Sequence, residues 1–190
     1  MTNNNRIRLR TKRLSDAKDD FTWQTDPELA KLDAAVTLDM TYQKYLAEYT
    51  FELCYPSPSR HEFAIETLEG KHIGNCVYYN VNQVESKAEI GIMIGNRDYW
   101  NKGYGTETMT LLLEHIFKKC ELARVYLTTL DWNIRAQQCF IKCGFSDCGK
   151  LVKDSYTFLL MVLHREEWEK HNLEHSMVTK AVSEGNIPNR

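Results

Sequence analysis

The sequence predicts a single mixed α/β domain built around a mostly antiparallel central sheet. Alternating apolar and polar residues predict one strand near the start of the chain and three consecutive strands in the middle, over 62–67, 72–81 and 87–94. Apolar residues at helical spacing occupy several of the remaining segments. The 190 residues match one domain with a hydrophobic core of its own.

The first part of the chain predicts one strand followed by two helices. Residues 6–13 alternate isoleucine and leucine with basic side chains, which is typical of a half-buried strand. Thr25 and Asp26 precede Pro27, a pattern that indicates a capped helix start, and this helix is expected to extend to Leu32. Tyrosines and leucines at helical spacing predict a second helix over 41–53.

After the three central strands, the chain predicts an alternation of helices and strands. A continuous apolar stripe predicts a helix over 106–120 that packs on the sheet. Residues 124–130 indicate a strand, and 133–143 a helix that ends at Gly144, a residue type that favours the left-handed C-cap. One or two strands are expected within 153–163.

The domain is expected to cover residues 1–170. A polar tail follows over 171–190, and we expect it to be partly disordered or to take part in a dimer.

Composition argues against several classes of protein. The formal net charge of −2, from 24 basic and 26 acidic side chains, gives no general attraction to nucleic acid or to an anionic membrane. No segment approaches the roughly 18 apolar residues of a membrane span. The N-terminus lacks the apolar region of a secretory signal. We therefore expect a cytoplasmic protein that binds neither nucleic acid nor membrane.

The six cysteines do not form a metal-binding pattern. None stands in a CxxC pair, and Cys139 and Cys143 lie one helical turn apart with no convincing fourth ligand nearby in sequence. Reduced thiols of a cytosolic protein explain them better than a zinc site. We expect no metal.

The stretch WNKGYGTET, residues 100–108, has the chemistry of an anion-binding loop. Glycine allows positive φ and lets a ligand approach the backbone amides closely. The unpaired N–H groups of the predicted helix that follows add a positive dipole end, which suits a pyrophosphate. Lys102 precedes the glycines and position 108 is threonine, so neither a Walker nor a Rossmann pattern is present. A plain glycine turn at a helix start remains the alternative.

A second stretch, NIRAQQCFIKCGF at 133–145, supplies the context for this loop. Together the two stretches resemble the GNAT superfamily of N-acetyltransferases, over about residues 6–168. The family loop Q/R-x-x-G-x-G/A is matched by 100–105, with Trp100 in place of the usual glutamine or arginine. The second family pattern is matched by Asn133, Ala136, Phe140, Lys142, Gly144 and Phe145. With tryptophan at position 100, the loop resembles that of the ribosomal-protein-alanine N-acetyltransferase branch.

The resemblance implies acetyl-CoA as the co-substrate. It places the pyrophosphate on the backbones of Lys102, Gly103, Tyr104, Gly105 and Thr106. It places the pantetheine arm along Ile92, Met93 and Ile94, where their strand diverges from strand 124–130. Asn133 is expected to bind the pantetheine or an ordered water, and it is also suited to cap its helix. Phe140 either packs near the thioester or belongs to the core.

The resemblance also implies catalytic roles, with one departure. Many family members have a tyrosine at the position of Phe140 as the acid for the leaving thiolate, and Phe140 has no proton to give. Glu89 is the candidate base, against the alternative of a strand-edge carboxylate that faces solvent. Ser146 is a candidate group near the acyl carbon, and Asn133 completes the catalytic candidates.

These residues predict an N-acetyltransferase that moves an acetyl group to a primary amine, of a protein N-terminus or of a small molecule. No Ser-His-Asp or Cys-His pattern is present, so direct transfer in a ternary complex is expected. The alternatives are a CoA-binding regulatory module, favoured by Phe140, and a nucleotide-binding protein unrelated to CoA. Homodimers are common in the family, so a homodimer is a further candidate.

Overall fold

The structure, a computed structural model, describes residues 5–173 and contains one seven-stranded sheet of order β1-β2-β3-β4-β5-β7-β6. The strands are β1 Ile7–Thr11, β2 Arg60–Thr67, β3 His72–Asn82, β4 Lys87–Met93, β5 Arg124–Leu130, β6 Ser146–Lys153 and β7 Tyr156–His164. The helices are α1 Ala17–Gln24, α2 Pro27–Leu32, α3 Tyr42–Cys54, α4 Tyr104–Lys119 and α5 Ile134–Lys142. Residues 165–173 are also helical.

The sheet is antiparallel except at its centre, where β4 and β5 run parallel. Their pairing covers Lys87–Glu89 against Arg124–Tyr126 and then stops, whereas β4 stays paired with β3 as far as Met93. The end of β4 therefore diverges from β5. The prediction of a mostly antiparallel sheet that splays open is confirmed.

Helices cover both faces of the sheet. On one face, α4 buries Met109, Leu112 and Ile116 against apolar side chains of β1, β2 and β4. Burial of each such side chain contributes about 1.5–3 kcal/mol. On the other face, Arg10 of β1 pairs with Asp16, the N-cap of α1, and Lys12, which follows β1, pairs with Asp20 within α1.

The structure differs from the sequence predictions in three places. Helix α1 was not predicted, because its buried positions include Asp20, and a buried carboxylate hides the apolar stripe of a helix. Helix α4 begins at Tyr104, two residues earlier than expected. The C-terminal strand region, expected within 153–163, is two full strands, joined by Asp154 and Ser155 with φ of 48° and 66°. Two positive φ values at a two-residue turn are typical of a type I′ hairpin.

The predicted tail over 171–190 lies almost entirely outside the described residues, so its dimer role stays a prediction. No helix within residues 5–173 combines the length and apolar character needed to span a membrane.

A buried ion cluster joins β1, β2 and the start of α1. The Arg10 guanidinium donates two hydrogen bonds of 2.7 Å to the Asp16 carboxylate and one of 2.6 Å to Glu66. The side chain of Arg10 is 10% exposed, and those of Asp16 and Glu66 are each 3% exposed. Burial is the largest single influence and raises the pKa of each carboxyl, but hydrogen bonds and charges together outweigh it and lower both pKa values, with the Arg10 hydrogen bond first among them.

Arg10→Met is expected to lower the free energy of unfolding by about 3–5 kcal/mol at pH 7, because it removes the guanidinium partner of the buried Asp16 carboxylate and leaves buried Glu66 with exposed arginines alone. Since folding lowers both carboxyl pKa values, their stabilising contribution is present above their unfolded values and is lost as pH falls through the folded values. The cost of the substitution should therefore shrink below about pH 4. Urea denaturation at several pH values measures it.

Arg8→Met is the matched control, because Arg8 also donates to Glu66, at 2.7 Å, but its side chain is 56% exposed. Its loss should stay below about 1 kcal/mol. Equal losses for the two variants would contradict the stabilising role of the buried cluster.

Candidate active site

A cavity of about 460 Å³ opens where β4 diverges from β5. Its walls are the end of β4, the segment from Tyr99 to Thr106, α5, and the end of α2. Most residues predicted to bind the cofactor line it together: Ile92, Met93, Ile94, Gly103, Tyr104, Gly105, Thr106, Asn133 and Phe140. The structure thus brings the two sequence stretches, 100–108 and 133–145, to one site.

The glycine loop ends in an unusual backbone conformation. Gly103 is the N-cap of α4 with φ of 84°, a left-handed conformation that side chains with a Cβ rarely adopt. The first α-helical hydrogen bond runs from the Glu107 N–H to the Gly103 carbonyl. Within residues 5–173, no hydrogen bond uses the N–H groups of Tyr104, Gly105 or Thr106. These three donors form the wall of the cavity at the positive end of the helix dipole.

Arg6 and Glu107 hold this loop from behind. The Glu107 carboxylate accepts hydrogen bonds from the Ile7 N–H at 3.2 Å and the Arg6 Nε at 2.9 Å. Arg6 also donates to the Lys102 carbonyl at 3.1 Å and lies 4.2 Å from the centre of the Tyr104 ring. Lys102 is exposed and is the one of the five predicted loop residues that does not line the cavity, so its part in binding stays a prediction.

Asn133 caps α5 and also faces the cavity. Its Oδ1 accepts a hydrogen bond from the Ala136 N–H at 3.3 Å. Its Nδ2 group makes no hydrogen bond with any described residue. The cap and a free donor in the cavity therefore coexist in one side chain.

Phe140 belongs to the core and to the cavity wall at once. It is 6% exposed and packs edge to face on Phe145, with ring centroids 6.0 Å apart. Phe140 also lines the cavity. Phe140 therefore belongs to the core, and its contact with the thioester stays a prediction.

Glu89 and Ser146 lie outside the set of residues that line the cavity. Glu89 is half-buried on β4, before the divergence, and accepts a hydrogen bond from the Asn80 Nδ2 at 3.1 Å. Burial, and then the proximity of the Glu89 carboxylate, raise the pKa values of Tyr79 and Tyr126. Glu89 is therefore surrounded by protein groups rather than isolated at an edge. Ser146 is exposed at the start of β6, opposite Val162.

Cys139 is a cavity residue to which the sequence analysis gave no site role. The Thr106 hydroxyl donates to its sulfur at 3.6 Å. Hydrogen bonding from Cys143, followed by that from Thr106, outweighs burial and lowers the pKa of Cys139 to about 7. The contact joins residues 33 positions apart, so no local pattern could have revealed it. All six cysteines are free within the described chain, and the described residues contain no group of three or more side chains suited to a metal ion.

Trp100 and Arg135 also meet at the cavity without a sequence signal. The Trp100 Nε1 donates to the Ile94 carbonyl at 2.6 Å. The Arg135 guanidinium carbon lies 3.6 Å from the centre of the Trp100 ring. Both residues line the cavity.

Comparison with known proteins agrees with this architecture. The acetyltransferase (GNAT) domain family model matches residues 6–146. An uncharacterized N-acetyltransferase p20 from Bacillus licheniformis is 26% identical over 121 residues, which cover 63% of this chain and 67% of that protein.

Two solved structures share the fold. A spermidine N-acetyltransferase from Vibrio cholerae, in complex with CoA and spermine, aligns with a TM-score of 0.78 at 18% identity, over 87% of this chain and 99% of that one. The aminoglycoside acetyltransferase AAC(6')-Ib, in complex with coenzyme A, aligns with a TM-score of 0.69 at 20% identity, over 86% and 98%.

The family match covers most of the chain, including the loop of α4 and the start of α5, where the cavity lies. The chain belongs to the acetyltransferase (GNAT) domain family and is an N-acetyltransferase.

Proposed function

We propose that the protein binds acetyl-CoA in this cavity and transfers the acetyl group directly to a primary amine in a ternary complex. The observation that supports this proposal most is that two groups of unpaired backbone atoms line the same cavity. One set is the first turn of α4, Tyr104 to Thr106, and the other is the edge of β4 that β5 no longer pairs.

The first turn of α4 suits the pyrophosphate of acetyl-CoA. Three N–H donors point from one helix N-terminus, and Gly103 and Gly105 leave the backbone uncovered there. Lys142 and Arg135 add positive charge to the cavity lining. Phosphate oxygens would complete the donors that the protein leaves open.

The edge of β4 suits the pantetheine arm, which carries amide groups of its own. Beyond Glu89 the backbone of β4 has no strand partner on the β5 side, so an extended ligand segment can pair with it. The Ile94 carbonyl is occupied by the Trp100 indole, which leaves Ile92 and Met93 as the strand residues for this contact. The free Nδ2 of Asn133 faces the ligand from the opposite wall.

The acceptor amine must be neutral when it attacks. A lysine-like amine with a pKa near 10.4 pays about 4–5 kcal/mol for this at pH 7, whereas an α-amine near pKa 8 pays about 1–1.5 kcal/mol. We assign Glu89 as the base that removes this proton, through water, because it is the acid on the same strand face as Met93. The thiolate leaves without Phe140, since a thiol ionises near pH 8.5. Ser146 is retained as a candidate near the acyl carbon.

Acidic charge beside the cavity supports a cationic amine as the acceptor. Asp33, the C-cap of α2, lines the cavity. The solved relatives are named for spermidine and aminoglycosides. The tryptophan at position 100 makes the loop similar to that of enzymes that act on protein N-termini. We therefore propose a primary amine on a cationic small molecule or a protein N-terminus, in a cytoplasmic enzyme. A CoA-binding regulatory module is the second candidate, favoured by Phe140.

Acetyl-CoA and CoA are expected to raise the melting temperature of the protein, and ATP to leave it unchanged, because ATP has no pantetheine arm. At a concentration 100 times Kd, the stabilisation amounts to about 2.7 kcal/mol. Thermal-shift titration measures it. Stabilisation by ATP alone would refute the acetyl-CoA site. A thiol-release assay with spermidine, an aminoglycoside and a peptide with a free N-terminus then distinguishes the enzyme from the regulatory module, which would release no thiol.

Asn133→Ala and Asn133→Asp separate the cap from the ligand contact. Alanine removes the cap and should cost about 1 kcal/mol of unfolding free energy, whereas aspartate caps as well as asparagine does. Both remove the Nδ2 donor, so both should weaken CoA binding about 3- to 10-fold. Urea denaturation and calorimetry measure the two effects. Wild-type CoA affinity in Asn133→Asp would leave Asn133 with the cap alone.

Glu89→Gln is expected to lower kcat/KM about 100-fold at pH 6–7, where the acceptor amine is protonated and needs a base. The deficit should shrink as pH rises toward the amine pKa, because the neutral amine becomes abundant. The pH–rate profile measures this, and Glu85→Gln, in the exposed β3–β4 turn, is the control. Parallel profiles for the Glu89→Gln and wild-type enzymes would remove Glu89 from this role.

A further inference from the structure

Two arginine side chains lie near the indole ring of Trp100. The guanidinium carbon of Arg135 is 3.6 Å from the ring centre, and that of Arg97 is 5.5 Å away. The indole is itself anchored, because its Nε1 donates to the Ile94 carbonyl. Trp100 is thus a fixed platform for positive charge at the edge of the cavity.

The two arginines differ in how their charge is balanced. Arg97 donates at 2.8 Å to both the Asp26 and the Glu28 carboxylates. Arg135 forms no ion pair with any carboxylate among residues 5–173. Of the two guanidinium groups on this ring, Arg135 is the one whose charge is not paired with a carboxylate of the described residues.

Arg135 also faces the cavity, whereas Arg97 does not line it. It is the second residue of α5 and lies on the same wall as Asn133. Neighbouring atoms partly desolvate the guanidinium and lower the pKa of Arg135, and the charge of Glu28 opposes this shift only in part. A guanidinium in such surroundings is stabilised by an anion, and phosphate matches its planar arrangement of donors.

We propose that Arg135 binds a phosphate group of acetyl-CoA, and that Trp100 is the residue that positions it. The proposal rests on the acetyl-CoA site proposed above. In the GNAT family, a glutamine or arginine usually occupies the loop position that Trp100 fills here. In this chain the loop supplies an aromatic platform instead, and α5 supplies the charge. Stacking leaves the edge of the guanidinium open, so two N–H groups remain able to contact phosphate oxygens.

The test compares CoA with dephospho-CoA, which lacks the 3′-phosphate but keeps the pyrophosphate. Calorimetry on the full chain gives Kd for each ligand. Arg135→Gln is expected to raise Kd for CoA at least 10-fold. If Arg135→Gln weakens dephospho-CoA by the same factor, the pyrophosphate is the partner of Arg135. If it binds dephospho-CoA as the wild type does, the 3′-phosphate is the partner.

Arg97→Gln is the matched control, because Arg97 lies by the same ring but is paired with carboxylates. Its Kd for CoA should stay within 2-fold of the wild type. Arg135→Lys keeps the charge but loses the planar donors, so it should recover only part of the affinity.

Trp100→Leu tests the positioning role. It should weaken CoA binding, and combining it with Arg135→Gln should add little, because both changes remove one interaction. Independent, additive effects of the two changes would refute the positioning role.

An unchanged Kd for CoA in a folded Arg135→Gln protein would overturn the proposal and leave the acetyl-CoA site intact. An exposed arginine is a mild substitution site, and an unchanged melting temperature without ligand verifies the fold. Failure of the wild type to bind CoA would instead refute the proposed function, and this proposal with it.

Discussion

The divergence of β4 from β5 is the constraint on which the site depends. Parallel pairing ends after Glu89, so the last residues of β4 keep only β3 as a strand neighbour and expose one backbone edge. On the remaining side, β3 approaches β4 closely. A Cβ on Gly74 of β3 would lie 2.2 Å from the Met93 carbonyl oxygen, a distance that no side chain tolerates. Unpaired backbone groups in a cavity are costly unless a ligand or water pairs them, so the divergence prepares a binding site.

Around this opening, ion pairs hold the glycine loop and the sheet in place, while hydrogen-bond donors in the cavity stay unpaired. Glu107 and Arg6 connect the start of α4 to β1, and Arg10 connects β1 to the acidic start of α1. The first strand is therefore bound to helices on both of its faces. Open donors on the cavity wall include the amides of Tyr104–Thr106 and the side chains of Asn133 and Arg135.

Features that depend on neighbouring residues were well predicted from the sequence. Strand 124–130, the capping of α5 by Asn133 and the left-handed glycine that ends it at Gly144 all appear as expected. The conformation of Gly103 and the free amides after it follow from local backbone chemistry as well. Helix α1 was missed because its buried positions include the carboxylate of Asp20, whose partner Lys12 lies outside the helix, just after β1.

The sequence by itself determined the fold class, the glycine loop and the cap, because each rests on periodicity or on contacts a few residues apart. The tertiary structure alone decided which candidates share the cavity. It placed Lys102 outside and Cys139 inside, and it set Arg135 on Trp100 across 35 positions of chain. Such contacts depend on how α4, α5 and β4 pack together, and packing geometry over long separations leaves no pattern in a single sequence.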